Sequence, residues 1–66
     1  MNETENGKKL RQLRGDKSAK DVSEALGISM SALLMYERGE RNPRDNIKIK
    51  LAHYYDTTIE DLFFAS

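Results

Sequence analysis

Apolar residues recur along the chain at the three- and four-residue spacing typical of helices, and no run of four or more residues alternates as a strand would. This pattern predicts an all-α fold. Because the segments between the apolar stripes are short, we expect five helices in one compact domain covering residues 1–66, with a short tail at residues 1–4. The predicted helices span about residues 4–14, 18–26 and 29–38, followed by a fourth that contains residues 47–55 and a short fifth after residue 58.

Residues that cap or end helices mark the boundaries of the second and third helices. Ser18 and Ser29 are good N-caps, and Asp21 adds a capping-box-like signal after Ser18. Gly27 and Gly39 end these helices, because glycine adopts a left-handed backbone without strain. These signals predict two short helices joined by a tight turn.

The last two helices are marked differently. Asn42 followed by Pro43 has the form of an N-cap and first helical residue, whereas Asp45 could cap a helix that begins one turn later. Both starts remain open at this point. Thr58 is expected to cap the fifth helix, with Asp61 three residues on.

The predicted core follows from the apolar stripe of each helix. Ser23 and Ala25 are small and are expected where the second and third helices cross. The apolar residues expected inside are Leu10, Leu13, Val22, Leu26, Ile28, Leu33, Tyr36, Ile47, Leu51, Tyr55, Ile59, Leu62 and Phe63.

Composition restricts the chemistry. The chain has no cysteine and one histidine, His53, so we expect no disulfide, no metal site, no cofactor and no enzymatic activity. No apolar run approaches a membrane span, and the N-terminus lacks the apolar core of a signal peptide. These features predict a soluble, cytoplasmic protein.

The net charge is zero, but the charges are unevenly distributed. All eleven lysines and arginines lie within residues 8–50, against six acidic residues there, which gives this region a net charge of +5. Both ends of the chain are acidic. Such a distribution is typical of a protein with one DNA-facing side, and it is also compatible with a surface of solvated salt bridges.

Residues 18–39 have the form of a helix-turn-helix motif, SAKDVSEALGISMSALLMYERG. Segments along nearly the whole chain resemble, in order and spacing, the Cro/phage-repressor (XRE) family: Lys9–Arg14, Leu26–Ser29, Tyr36–Gly39, Pro43–Ala52 and Thr58–Leu62. The resemblance implies a five-helix, lambda-repressor-like domain that binds double-stranded DNA. The leading hypothesis is a homodimeric repressor on a palindromic operator.

The resemblance also implies roles for individual residues. Arg14 and Glu37 match a structural ion pair that joins helix 1 to the recognition helix. The positions that would read bases are Ser29, Met30, Ser31, Leu34 and Met35. The residues expected to contact phosphates are Lys17, Ser18, Lys20, Arg38, Arg41, Asn42 and Arg44.

Some features depart from the family pattern. The loop between Leu13 and Ser18 is shorter than usual, and Ala19 stands where the family often has a glutamine that braces the DNA backbone. The outward face of helix 3 is unusually apolar. Apolar side chains can contact thymine methyls, but they can also pack against protein. The competing hypothesis is therefore a protein-interaction module that keeps the fold and has weak or no DNA binding.

Two large aromatic residues, Tyr54 and Phe64, are not required by the predicted core. They are candidates for a homodimer surface near the acidic C-terminal segment, although they could also simply close the small core. A protein regulator is the other partner considered, since any inducing signal must act on this domain or through a partner.

Overall fold

The computed structural model describes residues 3–64, and within that range it contains helices and no strand, which confirms the predicted all-α fold. Four α-helices are followed by a short π-helical segment, which we number α5. The helices are α1 Glu3–Arg14, α2 Ala19–Leu26, α3 Met30–Arg38, α4 Asp45–Tyr54 and α5 Glu60–Phe64. The Cα trace measures 29 × 22 × 22 Å.

The turn between α2 and α3 is fixed by hydrogen bonds at both of its ends. Gly27 has a φ of 71°, which lets its N–H and that of Ile28 bond back to carbonyls in the last turn of α2, at 3.2 and 3.0 Å. Ser29 Oγ accepts a hydrogen bond from the Ala32 N–H at 3.1 Å. These bonds pair backbone groups that helix ends otherwise leave free. The predicted stop at Gly27 and cap at Ser29 are confirmed.

The remaining predicted boundary signals at α2, α3 and α5 are also present. Ser18 Oγ accepts from the Asp21 N–H at 3.0 Å, and Thr58 Oγ1 accepts from the Asp61 N–H at 3.0 Å. Gly39 ends α3 with a φ of 75°. Local hydrogen bonding therefore sets these helix ends as the sequence predicts.

The start of α4 differs from both sequence alternatives. Arg44 is the N-cap, its side chain makes no capping hydrogen bond, and Asp45 is the first helical residue. Pro43 is buried, and it lies in the loop ahead of the helix instead of at the first helical position. Asp45 places a negative charge in the first turn, where the helix dipole favours it, without acting as a cap.

The hydrophobic core joins all five helices. Each helix contributes one almost completely buried side chain: Leu10, Val22, Leu33, Leu51 and Leu62. The other buried apolar residues are Leu26, Tyr36, Ala52 and Phe63. Partly buried residues pack against these, among them the predicted Ile28, Ile47, Tyr55 and Ile59.

Two packing predictions were wrong. Leu13 is 42% exposed. The side of α1 that faces the protein carries Gly7 and Arg14, and at about 100° per residue Leu13 lies roughly a quarter turn away from that side. Ala25 is exposed because it lies off the inner stripe of α2 in the same way, whereas Ser23 is buried.

α1 passes close to α3 at Gly7. A Cβ atom there would lie 2.7 Å from the Tyr36 carbonyl oxygen and would also collide with the Glu37 carbonyl. Any larger residue would therefore push α1 away from the C-terminal end of α3. The sequence does not reveal this role, since a glycine inside a helix carries no local sign of the element that crosses it.

Candidate nucleic-acid interface

The third helix has a buried side and an exposed side. Leu33, Tyr36 and Glu37 are buried. The opposite side, which we call the outer arc, consists of Met30, Ser31, Leu34, Met35 and Arg38. At about 100° per residue, these residues fall within roughly 140° of one another around the helix axis.

The surface of the outer arc is apolar over much of its length. Met30 is 48% exposed, Leu34 and Met35 are partly buried, and Ser31 and Arg38 are exposed. Four of the five expected base-reading residues therefore share one side of α3. Ser29 stands apart, because its Oγ caps the helix, although its hydroxyl proton remains free to donate.

One group of exposed polar residues begins at the end of the outer arc and continues along the chain. Arg38, the last residue of α3, is exposed, as are Arg41, Asn42 and Arg44 in the segment before α4. Arg38 Nη1 lies 4.0 Å from Glu40 Oε1, a surface contact that contributes little to stability. The guanidinium groups of this segment are accessible to a polyanion.

A second polar group lies at the N-terminus of α2. Lys17, Ser18 and Lys20 are exposed there, beside backbone N–H groups whose dipoles favour a bound anion. The Lys17 Nζ lies 5.1 Å from the centroid of the Tyr54 ring. Lys17 is therefore held by a cation–π contact, which a phosphate contact would have to share or replace.

A nearly buried ion pair connects α1 with α3. Arg14 Nε donates to Glu37 Oε2 at 2.7 Å, and Arg14 Nη2 donates to Glu37 Oε1 at 3.1 Å. The two side chains are 12% and 4% exposed, and the hydrogen bond to Glu37 raises the pKa of Arg14. Arg14 Nη1 also donates to the Lys17 carbonyl at 2.9 Å. One guanidinium thus holds both α3 and the loop that leads into α2.

Tyr55 has its own buried polar atom near this ion pair. Burial, and after it the charge of Glu37, raises the pKa of Tyr55 to about 12, so that the phenol stays neutral at ordinary pH. Its Oη is buried without a hydrogen-bond partner among the residues that the structure describes. The sequence placed Tyr55 in the core but gave no sign of this unpaired hydroxyl.

A groove of about 610 Å³ runs between the end of α2 and the exposed side of α4. Ile49, His53 and Tyr54 lie along it, and Ile49 is 53% exposed. The Tyr54 ring stands edge-on to Tyr55 with 5.1 Å between the centroids. The other predicted dimer residue, Phe64, has its side chain outside the described part of the structure. The sequence analysis did not single out Ile49, although at about 100° per residue it lies roughly 200° from Ile47 and therefore on the outward side of α4.

The described residues offer little else that would bind a ligand by charge or coordination. Within residues 3–64, no three histidine, cysteine or acidic side chains are grouped so that they could hold a metal ion. The helices of that range are all too short or too polar to cross a membrane.

Comparison with known families gives one finding. A family model described as helix-turn-helix matches residues 8–62, which covers α2, α3, α4 and most of α1. Neither the curated proteins nor the solved structures include a significant match.

Loss of either member of the Arg14–Glu37 pair should leave the other charge buried without a partner. We expect Glu37→Ala and Arg14→Ala each to lower the free energy of unfolding by about 3–5 kcal/mol, measured by urea unfolding. The double variant should lose less free energy of unfolding than the two single variants combined, because it leaves neither charge buried without a partner. Glu37→Gln and Arg14→Gln provide a milder cycle if the alanine variants do not fold.

The exposed pair Arg38 and Glu40 is the matched control for this cycle. Its coupling energy should be within about 1 kcal/mol of zero, since both side chains are solvated. Strictly additive effects of Arg14 and Glu37 substitutions would show that the two residues do not interact.

Proposed function

This chain belongs to the helix-turn-helix family of XRE, Cro and lambda-repressor type DNA-binding domains, and from this premise we propose that it is a repressor that binds a palindromic operator as a homodimer. Membership makes the chain a DNA-binding regulator of transcription in the general sense. The observation that carries the proposal is the outer arc of α3, which faces solvent, ends in the exposed Arg38 and is followed by two more exposed arginines, Arg41 and Arg44.

In this proposal the phosphates are contacted from both ends of the helix-turn-helix. Arg38, Arg41 and Arg44, with Asn42, contact the backbone beyond α3. Lys17, Ser18 and Lys20 contact it at the N-terminus of α2. Such contacts supply affinity that does not depend on sequence and that falls as salt rises.

In this proposal the bases are recognised by the outer arc and by Ser29. Met30, Leu34 and Met35 offer no hydrogen bonds, so their best partner in the major groove is the thymine methyl group. Ser29 and Ser31 add donors and acceptors that suit either a base edge or a phosphate. The half-site should therefore contain thymines opposite the apolar side chains.

Replacing one phosphate-contacting arginine should change the salt dependence of binding in a defined way. We expect Arg41→Ala to reduce the slope of log K against log salt by about 0.9, and to weaken binding similarly on all sequences. Fluorescence anisotropy with a labelled duplex measures both. Arg11→Ala, which removes an exposed arginine from α1, is the control and should leave the slope unchanged.

The same titration separates the two hypotheses. An unchanged slope for Arg41→Ala would remove Arg41 from the interface. Absence of salt-dependent DNA binding by the unaltered protein would favour the alternative function. In that alternative the chain is a protein-interaction module that binds a partner through the apolar outer arc, and Ala19 stands where a DNA-binding relative would have a residue that braces the DNA backbone.

Replacing thymine by uracil tests the apolar reading directly, because it removes only the methyl group. We expect each critical substitution in a selected operator to cost on the order of 1 kcal/mol, since one buried CH₂ is worth about 0.8 kcal/mol. Met35→Ala should abolish the difference between thymine and uracil at its own position. Leu13→Ala, which truncates an exposed apolar residue on α1, should preserve it. Equal binding of uracil and thymine operators at every position would mean that the arc does not read DNA.

The homodimer is proposed from size and from the groove. The longest dimension of the Cα trace, 29 Å, is shorter than the roughly 34–36 Å between half-sites, so one copy covers one half-site. The groove has an exposed isoleucine, Ile49, beside a recess that includes Tyr54, and it carries both Glu24 and Lys50. A surface with exposed apolar area, a groove and both signs of charge can pair with a second copy of itself about a two-fold axis.

A charge placed at Ile49 should weaken the dimer. We expect Ile49→Glu to raise the dissociation constant of the dimer and to lower affinity for a palindrome far more than for a single half-site. Sedimentation equilibrium, with and without a palindromic duplex, gives the stoichiometry. Asn46→Glu adds the same charge at an exposed position of α4 that does not line the groove, and it should have little effect. A monomer both in free solution and on the palindrome would refute the homodimer.

A further inference from the structure

The methionines of this chain are concentrated on one surface. The chain has three, of which Met1 lies outside the described residues, and the other two, Met30 and Met35, both belong to the outer arc. The buried core consists of leucine, valine, alanine, tyrosine and phenylalanine side chains and includes neither methionine. The chain also contains no cysteine. The thioethers are therefore the sulfur groups of this chain, and those of Met30 and Met35 lie outside the buried core.

At least one of these methionines is open to solvent. Met30 is 48% exposed, and Met35 is partly exposed on the same side of the helix. The thioether sulfur attacks one oxygen of hydrogen peroxide, an S–O bond forms as the O–O bond breaks, and the departing oxygen leaves as water. Sulfur loses two electrons, peroxide gains them, and the product is methionine sulfoxide, which reductases convert back to the thioether.

We propose that Met30 and Met35 form a peroxide-sensitive modification site on the DNA-reading surface, through which oxidation releases the protein from its operator. The inference rests on the proposed function, since it requires that the outer arc contacts DNA. A sulfoxide carries a strong dipole and an acceptor oxygen where the proposed partner is a thymine methyl. Oxidation therefore replaces an apolar contact by a polar group that the methyl cannot satisfy.

The position of the two residues separates this effect from ordinary oxidative damage. Methionine oxidation commonly destabilises proteins because the sulfoxide disrupts a core. Here both side chains lie on the outer arc, while α3 is held by Leu33, Tyr36 and the Arg14–Glu37 pair on its other side. Oxidation should consequently reduce DNA binding while the thermal midpoint stays close to that of the untreated protein.

The test compares the protein before and after treatment with hydrogen peroxide. Peptide mass mapping locates each added oxygen, circular dichroism gives the thermal midpoint, and anisotropy gives affinity for the selected operator. We expect oxidation of Met30 and Met35 to lower affinity about tenfold, which corresponds to the loss of two contacts of roughly one buried methyl or methylene each. Methionine sulfoxide reductases, one for each sulfoxide epimer, should restore it.

The matched control is the double variant Met30→Leu, Met35→Leu, which keeps both positions apolar and retains Met1. The ratio of its affinities before and after peroxide should be close to one, whatever its starting affinity. An equal loss of affinity in this variant would overturn the inference, as would oxidation confined to Met1 or full oxidation of Met30 and Met35 without a change in affinity.

The outcomes also distinguish this inference from the proposed function. If the untreated protein binds its operator and discriminates thymine from uracil, the proposed reading surface stands, and only the effect of peroxide decides the inference. If the untreated protein does not bind DNA at all, the proposed function fails and the inference fails with it.

Discussion

The contact between α1 and the C-terminal half of α3 is the constraint on which the rest of the domain depends. Because Gly7 has no side chain, the two helices approach so closely that a Cβ atom at this position would collide with carbonyl oxygens of α3. Arg14 and Glu37 then pair across the same contact with two hydrogen bonds while nearly buried. A buried ion pair adds little stability compared with apolar packing. However, its geometry is directional, and a structure that buries one of the two charges without the other is strongly destabilised. It therefore fixes the rotation of α3 about its axis, and with it the residues that form the outer arc.

The same guanidinium extends this control to the other end of the helix-turn-helix. Arg14 Nη1 holds the Lys17 carbonyl, in the loop just before the N-terminus of α2. The short loop between α1 and α2 is thus tied to the residue that pairs with Glu37 on α3. The tight turn at Gly27 holds the remaining connection between α2 and α3. The segments that carry the two groups of exposed polar residues are therefore connected by these hydrogen bonds, which in the proposed function would help both groups to match the spacing of phosphates.

An apolar reading surface has energetic consequences for recognition. A contact with a thymine methyl is worth about 0.8 kcal/mol, whereas a bidentate hydrogen-bonded pair to a base discriminates by about 1–3 kcal/mol. A single copy that reads bases through Met30, Leu34 and Met35 would therefore have low specificity. Two half-sites read together, and phosphate contacts from the arginines beyond α3, would supply what the apolar contacts lack. In the inference proposed above, the same apolar contacts would make binding depend on the oxidation state of two sulfurs.

Much of the fold could be predicted from the sequence, because it depends on residues close together in the chain. Ser18, Ser29 and Thr58 cap helices through hydrogen bonds to backbone groups three residues on, so their roles are visible locally. The stripe of each helix likewise placed nearly all of the core. The membership of the outer arc followed from helical geometry and the family resemblance. The pairing of Arg14 with Glu37, 23 residues apart, came from that resemblance and from no local pattern.

Only the tertiary structure decided which long-range contacts each helix makes. Periodicity states that certain residues share a face, but the elements that cover this face lie far away in the chain. For this reason Leu13 is exposed although it is apolar, and Gly7 makes a close contact with α3 although nothing near it in sequence says so. The start of α4 is another feature that the sequence left undecided, because Asn42–Pro43 and Asp45 gave competing local signals; in the structure Pro43 is buried in the loop and the helix begins at Asp45.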